Sequence, residues 1–300
     1  MNKKLLNMNK NNFEIKNGIL VRYTGNDENV IIPDGVTSIR NGAFVNRKDL
    51  ISIIIPDGVI NIGRNTFAGC TNLKSVTIPD GVTSIDDGAF SWCKSITNII
   101  IPDSVINIGD SAFSSCEKLI GITIPNNVTS IGDHAFACCR SLKSITIPNG
   151  VTSIGDWVFE ECNNLESIIV NNENKYYSSD EKGVLFNKDK TKLIRYPIGK
   201  VAIEYTIPDT VTTIDDYAFF NCRSLKNITI LGAVTHIGEA ALIVFNKEKF
   251  KETYKDEGLN LDDWEVSSEE FYECNITINT PKNSHIETYA RMRDININII

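Results

Sequence analysis

The sequence predicts a repeat solenoid, mainly β with short helical turns, on the strength of three observations. Prolines recur at Pro33, Pro56, Pro79, Pro102, Pro125 and Pro148, each 23 residues after the last. The same period carries Phe44, Phe67, Phe90, Phe113, Phe136 and Phe159, together with Ile39, Ile62, Ile85, Ile108, Ile131 and Ile154. Ahead of each proline, polar and apolar residues alternate, as in Ser75-Val76-Thr77-Ile78. Alternation is the side-chain period of a strand, and a fixed longer repeat is the mark of stacked units that cannot bury an apolar face alone.

Each element follows in chain order. Residues 1–32 are read as an N-terminal capping region, with residues 18–33 laid out as a hairpin that feeds the first turn. Residues 33–243 form the solenoid. In each turn a strand such as 75–78 points Val76 and Ile78 inward and Ser75 and Thr77 outward, and Pro79 ends it because proline lacks the N–H that a ladder needs. Pro79-Asp80-Gly81 suits a type I turn with proline at its second position. Val82-Thr83-Ser84-Ile85 starts the return side. In Ile131-Gly132-Asp133-His134-Ala135-Phe136 the aspartate is placed to cap a short helix, and Phe136 fills the wide end of the core. The spacing from Pro148 to Pro208 is 60 residues, so an extra element lies at about 171–206, with a hairpin over 183–197. The rhythm resumes at Pro208, Ile214, Phe219 and Leu225, and one further turn carries Leu231 and Leu242. Residues 244–300 are read as a C-terminal cap: a charged helix over 246–257, an acidic loop containing Asp262, Asp263 and Trp264, one strand at 275–278, and a last helix capped by Ser284 with Glu287 in the capping-box position. The alternation of Val-Ile-Asn-Ile at 59–62 and 105–108 with Val-Thr-Ser-Ile at 36–39, 82–85 and 128–131 points to duplication of a two-turn unit.

The pattern Leu-x-x-Ile-x-Ile-Pro-x-x-Val-x-x-Ile-x-x-x-Ala-Phe-x-x-Cys-x-x-Leu, over roughly residues 30–243, closely resembles the BspA-like (Treponema pallidum type) leucine-rich repeats. The resemblance implies a leucine-rich-repeat superhelix of 23-residue turns. It also implies a binding or adhesion role on a bacterial or protozoan surface, with no particular ligand.

Composition narrows the function classes. An apolar fraction of 42% supports a packed core, and a formal charge of −8 spread along the chain argues against a phosphate-binding footprint, so no nucleic-acid partner is expected. The N-terminus, MNKKLLNMNKNNFEIKNG, lacks an apolar run of secretory length, and no stretch approaches the roughly 18 apolar residues that span a bilayer. No membrane insertion is expected, and the location read from the residues is cytoplasmic, with cell surface or secreted as the alternative from the resemblance.

Chemistry-bearing residues fit the repeat better than they fit a reaction. Cys70, Cys93, Cys116, Cys139, Cys162 and Cys222 keep the period and point into the core as free thiols. Cys138 stands one residue off that column. His134, Cys138 and Cys139 lack the second paired spacing of a zinc site, and Asp34, Asp57, Asp80 and Asp103 are turn residues without the dense alternating acids of a calcium loop. The three histidines, His134, His236 and His285, accompany no motif of catalytic spacing. No catalytic residue, metal site or cofactor is therefore assigned, and the chain is read as no enzyme.

Binding candidates are the outward strand positions and one aromatic column. The first group comprises Ser75, Thr77, Asn98, Ile100, Thr123, Ser144 and Thr146, an uncharged array beside a charged remainder. The second comprises His134, Trp157 and Tyr217, which hold one position of their turns. The expected partner is a protein or a glycan, met through a broad face of a non-enzymatic module. The alternative is a structural or cytoplasmic scaffold with no extracellular ligand.

Overall fold

The structure, a computed structural model, describes residues 12–232, 234–245, 272–274, 276–282, 284–292 and 295–300. The expected charged helix at 246–257 and the acidic loop at 262–264 lie outside the described residues. The chain divides into two compact units at Tyr177/Ser178, each a β-solenoid built on the 23-residue turn.

In the first unit, an antiparallel hairpin of Phe13–Lys16 and Ile19–Tyr23 opens the fold. Its turn is Asn17-Gly18 with φ of 51° and 76°, the mirror-image turn whose twist matches that of a hairpin. The return-side strands Ser38–Ile39, Asn61–Ile62, Ser84–Ile85, Asn107–Ile108, Ser130–Ile131 and Ser153–Ile154 then add in parallel to make one eight-stranded sheet. Opposite them stands the longer strand column, Asn29–Ile31, Ser52–Ile54, Ser75–Thr77, Asn98–Ile100, Gly121–Thr123, Ser144–Ile147 and Ser167–Val170, in hydrogen-bonded groups of three, two and two. Residues 18–33 are thus not themselves a hairpin. The hairpin sits earlier, and Asn29–Ile31 is the first member of the parallel column.

Inside the turns the core contains a stack of rings. Tyr23, Phe44, Phe67, Phe90, Phe113 and Phe136 follow one another with centroids 5.0–5.5 Å apart, and Phe159 continues at 6.3 Å. Such aromatic pairs add about 0.5–1.5 kcal/mol each beyond the area they bury. Beside the rings, each column thiol donates to the carbonyl of the phenylalanine one turn earlier: Cys70 Sγ to Phe44 O at 3.1 Å, Cys93 to Phe67 at 3.2 Å, Cys116 to Phe90 at 3.3 Å, Cys139 to Phe113 at 3.2 Å and Cys162 to Phe136 at 3.1 Å. Each of those carbonyls already accepts a backbone N–H, as Phe44 O does from Arg47 N at 3.1 Å, so the thiol is a second donor to a buried oxygen that has two lone pairs. In the first turn Arg47 takes the cysteine slot, and its Nη2 donates to Tyr23 O at 2.5 Å.

The segment read as a short helical turn is not helical. Successive N–H groups alternate between a carbonyl three residues back and a carbonyl of the next turn: Ala43 N to Arg40 O, Phe44 N to Thr66 O, Val45 N to Gly42 O, Asn46 N to Ala68 O. Left-handed backbone breaks the helix twice per turn and turns those N–H groups along the stack. One column of it holds Gly42, Asn65, Gly88, Ser111, His134, Trp157, Tyr217 and Ala240; the other holds Asn46, Gly69, Trp92, Ser115, Cys138, Glu161 and Asn221. The aspartate therefore caps no helix. Asp87 Oδ1 accepts from Asp110 N at 3.1 Å, Asp110 Oδ1 from Asp133 N at 2.9 Å, and Asp133 Oδ1 from Asp156 N at 2.8 Å, so each acid binds the backbone of the following turn. Asn41 and Asp216 do the same for Arg64 N and Glu239 N.

That reach explains the glycine beside the acid. A Cβ on Gly109 would lie 2.5 Å from Asp87 Oδ1 and 2.7 Å from Asp87 N, and one on Gly132 would lie 2.6 Å from Asp110 N. Every glycine in this slot follows a turn that presents Asn or Asp. Where the preceding turn presents Arg64 instead, the slot holds Asp86, which accepts from Ser84 Oγ at 2.5 Å. The turn after each strand also differs from expectation. Val59 N bonds Pro56 O and Val82 N bonds Pro79 O, so proline stands at the first position of the turn, not the second.

The second unit repeats the opening device. Leu185–Asn187 and Lys192–Arg195 pair antiparallel, with Leu185 opposite Arg195, as the 183–197 spacing predicts, and the return arm then pairs in parallel with Thr213–Ile214. Tyr196 stacks on Phe219 at 5.3 Å as Tyr23 does on Phe44. The long strands are Glu204–Ile207, Asn227–Ile230, Thr277–Thr280 and Ile297–Ile299, so among the described residues this column gains two members after the break where one was expected, beside the short strand Tyr272–Glu273. The helix His285–Met292 starts at Ser284, whose Oγ accepts from Glu287 N at 3.0 Å, and the Glu287 carboxylate takes Arg291 at 2.9 Å.

Candidate binding surface

Alternation along the strand column of the first unit places the candidate side chains outward. Ser75, Thr77, Asn98, Thr123, Ser144 and Thr146 are all exposed, and Ile100 is 77% exposed. Register holds them in rows: Ser52 faces Ser75 and Ile54 faces Thr77, Asn98 faces Gly121 and Ile100 faces Thr123, Ser144 faces Ser167 and Thr146 faces Ile169. Ile54 and Ile169, 48% and 47% exposed, continue the apolar part of the array. At the C-terminal ends of the middle strands lies a shallow recess of about 370 Å³, lined among others by Thr123, Pro125, Thr146, Pro148 and Asn171.

The aromatic column is half-buried rather than fully exposed. His134 and Trp157 stack with parallel rings, 2° between planes and 6.4 Å between centroids, and His134 Nδ1 lies 3.4 Å from Glu160 Oε2. Tyr217 belongs to the second unit, where it stands edge-on to Phe220 at 5.8 Å. All three sit at left-handed positions of their turns. Sequence reasoning overlooked Trp92, in the other left-handed column, with Lys94 Nζ 5.0 Å from its ring centroid. It also overlooked Ile60 and Ile106, exposed on the return side. The signal for those two was present in the alternation of Val-Ile-Asn-Ile with Val-Thr-Ser-Ile, where the isoleucine replaces an exposed threonine.

All eight cysteines are free, and the six of the column are buried. Burial pushes the Cys70, Cys116 and Cys222 thiols up to about 12, and those of Cys93 and Cys139 well above their usual value. Cys138 is half-buried, and burial first, then the carboxylates of Glu161 and Glu160, push it up to about 11. Only the thiolate attacks an alkylating reagent, so at neutral pH Cys138 should react slowly, and each pH unit below 11 should change its rate about tenfold. The column cysteines should stay unmodified until the chain unfolds. Mass-mapped iodoacetamide labelling between pH 7 and 10 tests this, and labelling of any column cysteine ahead of Cys138 contradicts it.

Among the described residues no helix is long and apolar enough to cross a membrane. The model of the BspA type leucine rich repeat region matches the chain in 6 copies, over residues 14–119, 83–181 and 200–254. No curated protein sequence matches. Solved structures do: a leucine rich cell surface protein from Faecalibacterium prausnitzii is 32% identical, covering 73% of this chain and 68% of its own, with a TM-score of 0.59. A leucine-rich repeat protein from Eubacterium ventriosum is 25% identical, covering 89% of this chain and 60% of its own, with a TM-score of 0.53. The pneumococcal vaccine antigen PcpA, at 19% identity, shares the fold over 94% of this chain and 91% of its own, with a TM-score of 0.57. The periodic prolines, stacked phenylalanines and thiol column are thus those of a known repeat, and this chain belongs to the BspA-type leucine-rich repeat family.

Proposed function

We propose that the chain is a non-enzymatic binding module whose partner is a protein, held on the outward strand face of the first unit. The observation that carries this is the array itself: an uncharged surface with Ile54, Ile100 and Ile169 exposed, in a chain of net charge −8. Neutral polar and apolar side chains cost little to desolvate, and parallel strands in register offer them over a wide, even area. A solenoid repeats its surface along with its core, so affinity is the sum of many weak contacts and does not depend on one converging pocket. The membership of a family that fits protein interaction supports the same reading. A surface location, as of the F. prausnitzii relative, is the setting we propose for it.

A second reading places the contact at His134 and Trp157, favoured by their parallel stacking and by aromatic side chains being common anchors of interfaces. One experiment separates the two. Thr77→Lys, Ile100→Lys and Thr123→Lys combined should abolish capture of the wild-type partners, with the circular dichroism spectrum unchanged because all three point outward. A folded triple variant that keeps every partner, alongside a His134→Ala/Trp157→Gly variant that loses them, moves the site to the aromatic column.

A further inference from the structure

We infer that Asn17, in the turn of the opening hairpin, is a site of spontaneous covalent change: its side chain condenses with the backbone of Gly18, and the product loosens the lid of the first unit as the protein ages.

Asparagine followed by glycine favours this chemistry, because no Cβ on the second residue obstructs its nitrogen. That nitrogen loses its proton and attacks the side-chain carbonyl carbon of the asparagine. The bond to the amide nitrogen breaks, ammonia leaves, and a five-membered imide closes. Water then adds to one of the two imide carbonyls. One opening gives aspartate; the other gives isoaspartate, whose main chain runs through the former side chain and is one carbon longer. Water is the one co-reactant.

The chain has three Asn-Gly steps, at Asn17, Asn41 and Asn149. The fold ties up two of them. Asn41 Oδ1 accepts from Arg64 N at 3.0 Å, and Gly42 N, the nucleophile of that step, donates to Arg64 O at 2.9 Å. At the third step Asn149 Nδ2 donates to Glu173 Oε2 at 3.0 Å, and Asn149 Oδ1 is buried away from water. Gly150 packs so closely on the preceding turn that a Cβ there would lie 1.9 Å from Asn126 O. Ring closure at either place requires neighbouring turns to separate.

Asn17 differs in each respect. It is exposed, and neither its carboxamide nor Gly18 N has a hydrogen-bond partner among the described residues. Closing the ring re-sets the backbone of both residues, so the turn must open. Here opening is cheap: Phe13–Lys16 is a four-residue edge strand with Glu14, Ile15 and Lys16 exposed, and so short a pair opens at far less cost than the whole unit. The lid is sensitive to the result. Phe13 stands opposite Tyr23 with ring centroids 5.0 Å apart, and Tyr23 stacks on Phe44 at 5.0 Å, so the hairpin closes the end of the ring stack. A two-residue turn fixes the register of its arms, and an added main-chain carbon with a carboxylate beside it breaks that register.

Peptide mass mapping of the folded full chain, held at physiological temperature and mildly alkaline pH, tests this. Asn17 should convert at least about tenfold faster than Asn41 and Asn149, and faster still as pH rises, because Gly18 N must lose its proton. In denaturant the three steps should converge on similar rates. Hydrogen exchange of Ile19–Tyr23 should be at least about tenfold faster in converted than in fresh protein, with Ser84–Ile85 unchanged. Asn17→Gly suits the same turn and removes the amide, so that variant should age without loosening. Conversion of Asn41 or Asn149 as fast as Asn17 in the folded chain overturns the inference, as does an Asn17 that stays intact. The same order of rates in denaturant would assign the selectivity to local sequence and overturn it too. So would a converted protein whose hairpin exchanges as before, or an Asn17→Gly variant that loosens equally with age.

Discussion

Phe136→Ala lowers the unfolding free energy by about 3–5 kcal/mol. The ring lies inside the stack with Phe113 at 5.5 Å and Phe159 at 6.3 Å on either side, each fixed by the backbone of its own turn. Neighbours held by inter-turn hydrogen bonds cannot close the gap, so the cavity persists and adds to the lost transfer energy. Two residues earlier, His134→Ala should cost far less, because that side chain is only half-buried and its main contact is one stacked ring. Denaturant midpoints of the two variants decide the matter. Equal losses would mean that the stack is not the main source of stability in this unit.

The second large effect is expected from a single added carbon. Gly132→Ala should destabilise by about 2–3 kcal/mol, since the new Cβ meets the backbone nitrogen of Asp110 at 2.6 Å and the carboxylate oxygen beside it. Backbone atoms tied into the inter-turn ladder cannot retreat as a side-chain tip does. Asp86→Ala occupies the same slot in a turn that follows Arg64, and it loses only the Ser84 hydroxyl bond, a change of about 1 kcal/mol or less. Thermal or denaturant unfolding of both proteins compares them directly. A Gly132→Ala variant as stable as Asp86→Ala would show that the turns can separate without cost.

Much of the architecture was legible in the sequence because solenoid order is set by period. The 23-residue recurrence of Pro, Ile, Phe and Cys fixed which residues face inward, and the outward positions Thr77, Ile100 and Thr123 emerge where the alternation puts them. What the period does not encode is where hydrogen bonds go. A segment such as Asp133-His134-Ala135-Phe136 has the composition of a helix start, and an isolated chain would spend its N–H groups locally. Only the presence of a next turn at hydrogen-bonding distance makes it better to send alternate N–H groups along the stack, with left-handed backbone at His134 and Cys138. The opening hairpin was misplaced for a different reason. Asn17-Gly18 carries the hairpin turn, while the apolar run at 30–32, which has the look of a second hairpin arm, pairs in parallel with Ser52–Ile54 of the next turn. The candidate binding face was legible as a direction, outward and uncharged, and Ile60 and Ile106 were legible from the threonines they replace; Trp92 was not, because exposure of a single large side chain leaves no trace in a pattern built from the core.

The carboxylate that reaches forward and the glycine that makes room for it form a rule linking each turn to its predecessor. Such a rule constrains how an array of this kind lengthens or shortens over generations. A turn carrying Ile-Gly-Asp can be copied behind another of its kind, because every copy both offers the acid and accepts one. A turn carrying Ile-Asp-Asp, like the one at 85–87, can be spliced only behind a neighbour that extends no short acid, as Arg64 does here. At the junction between those two turns the incoming slot need not be glycine, so the constraint that ties the other turns together is relaxed there.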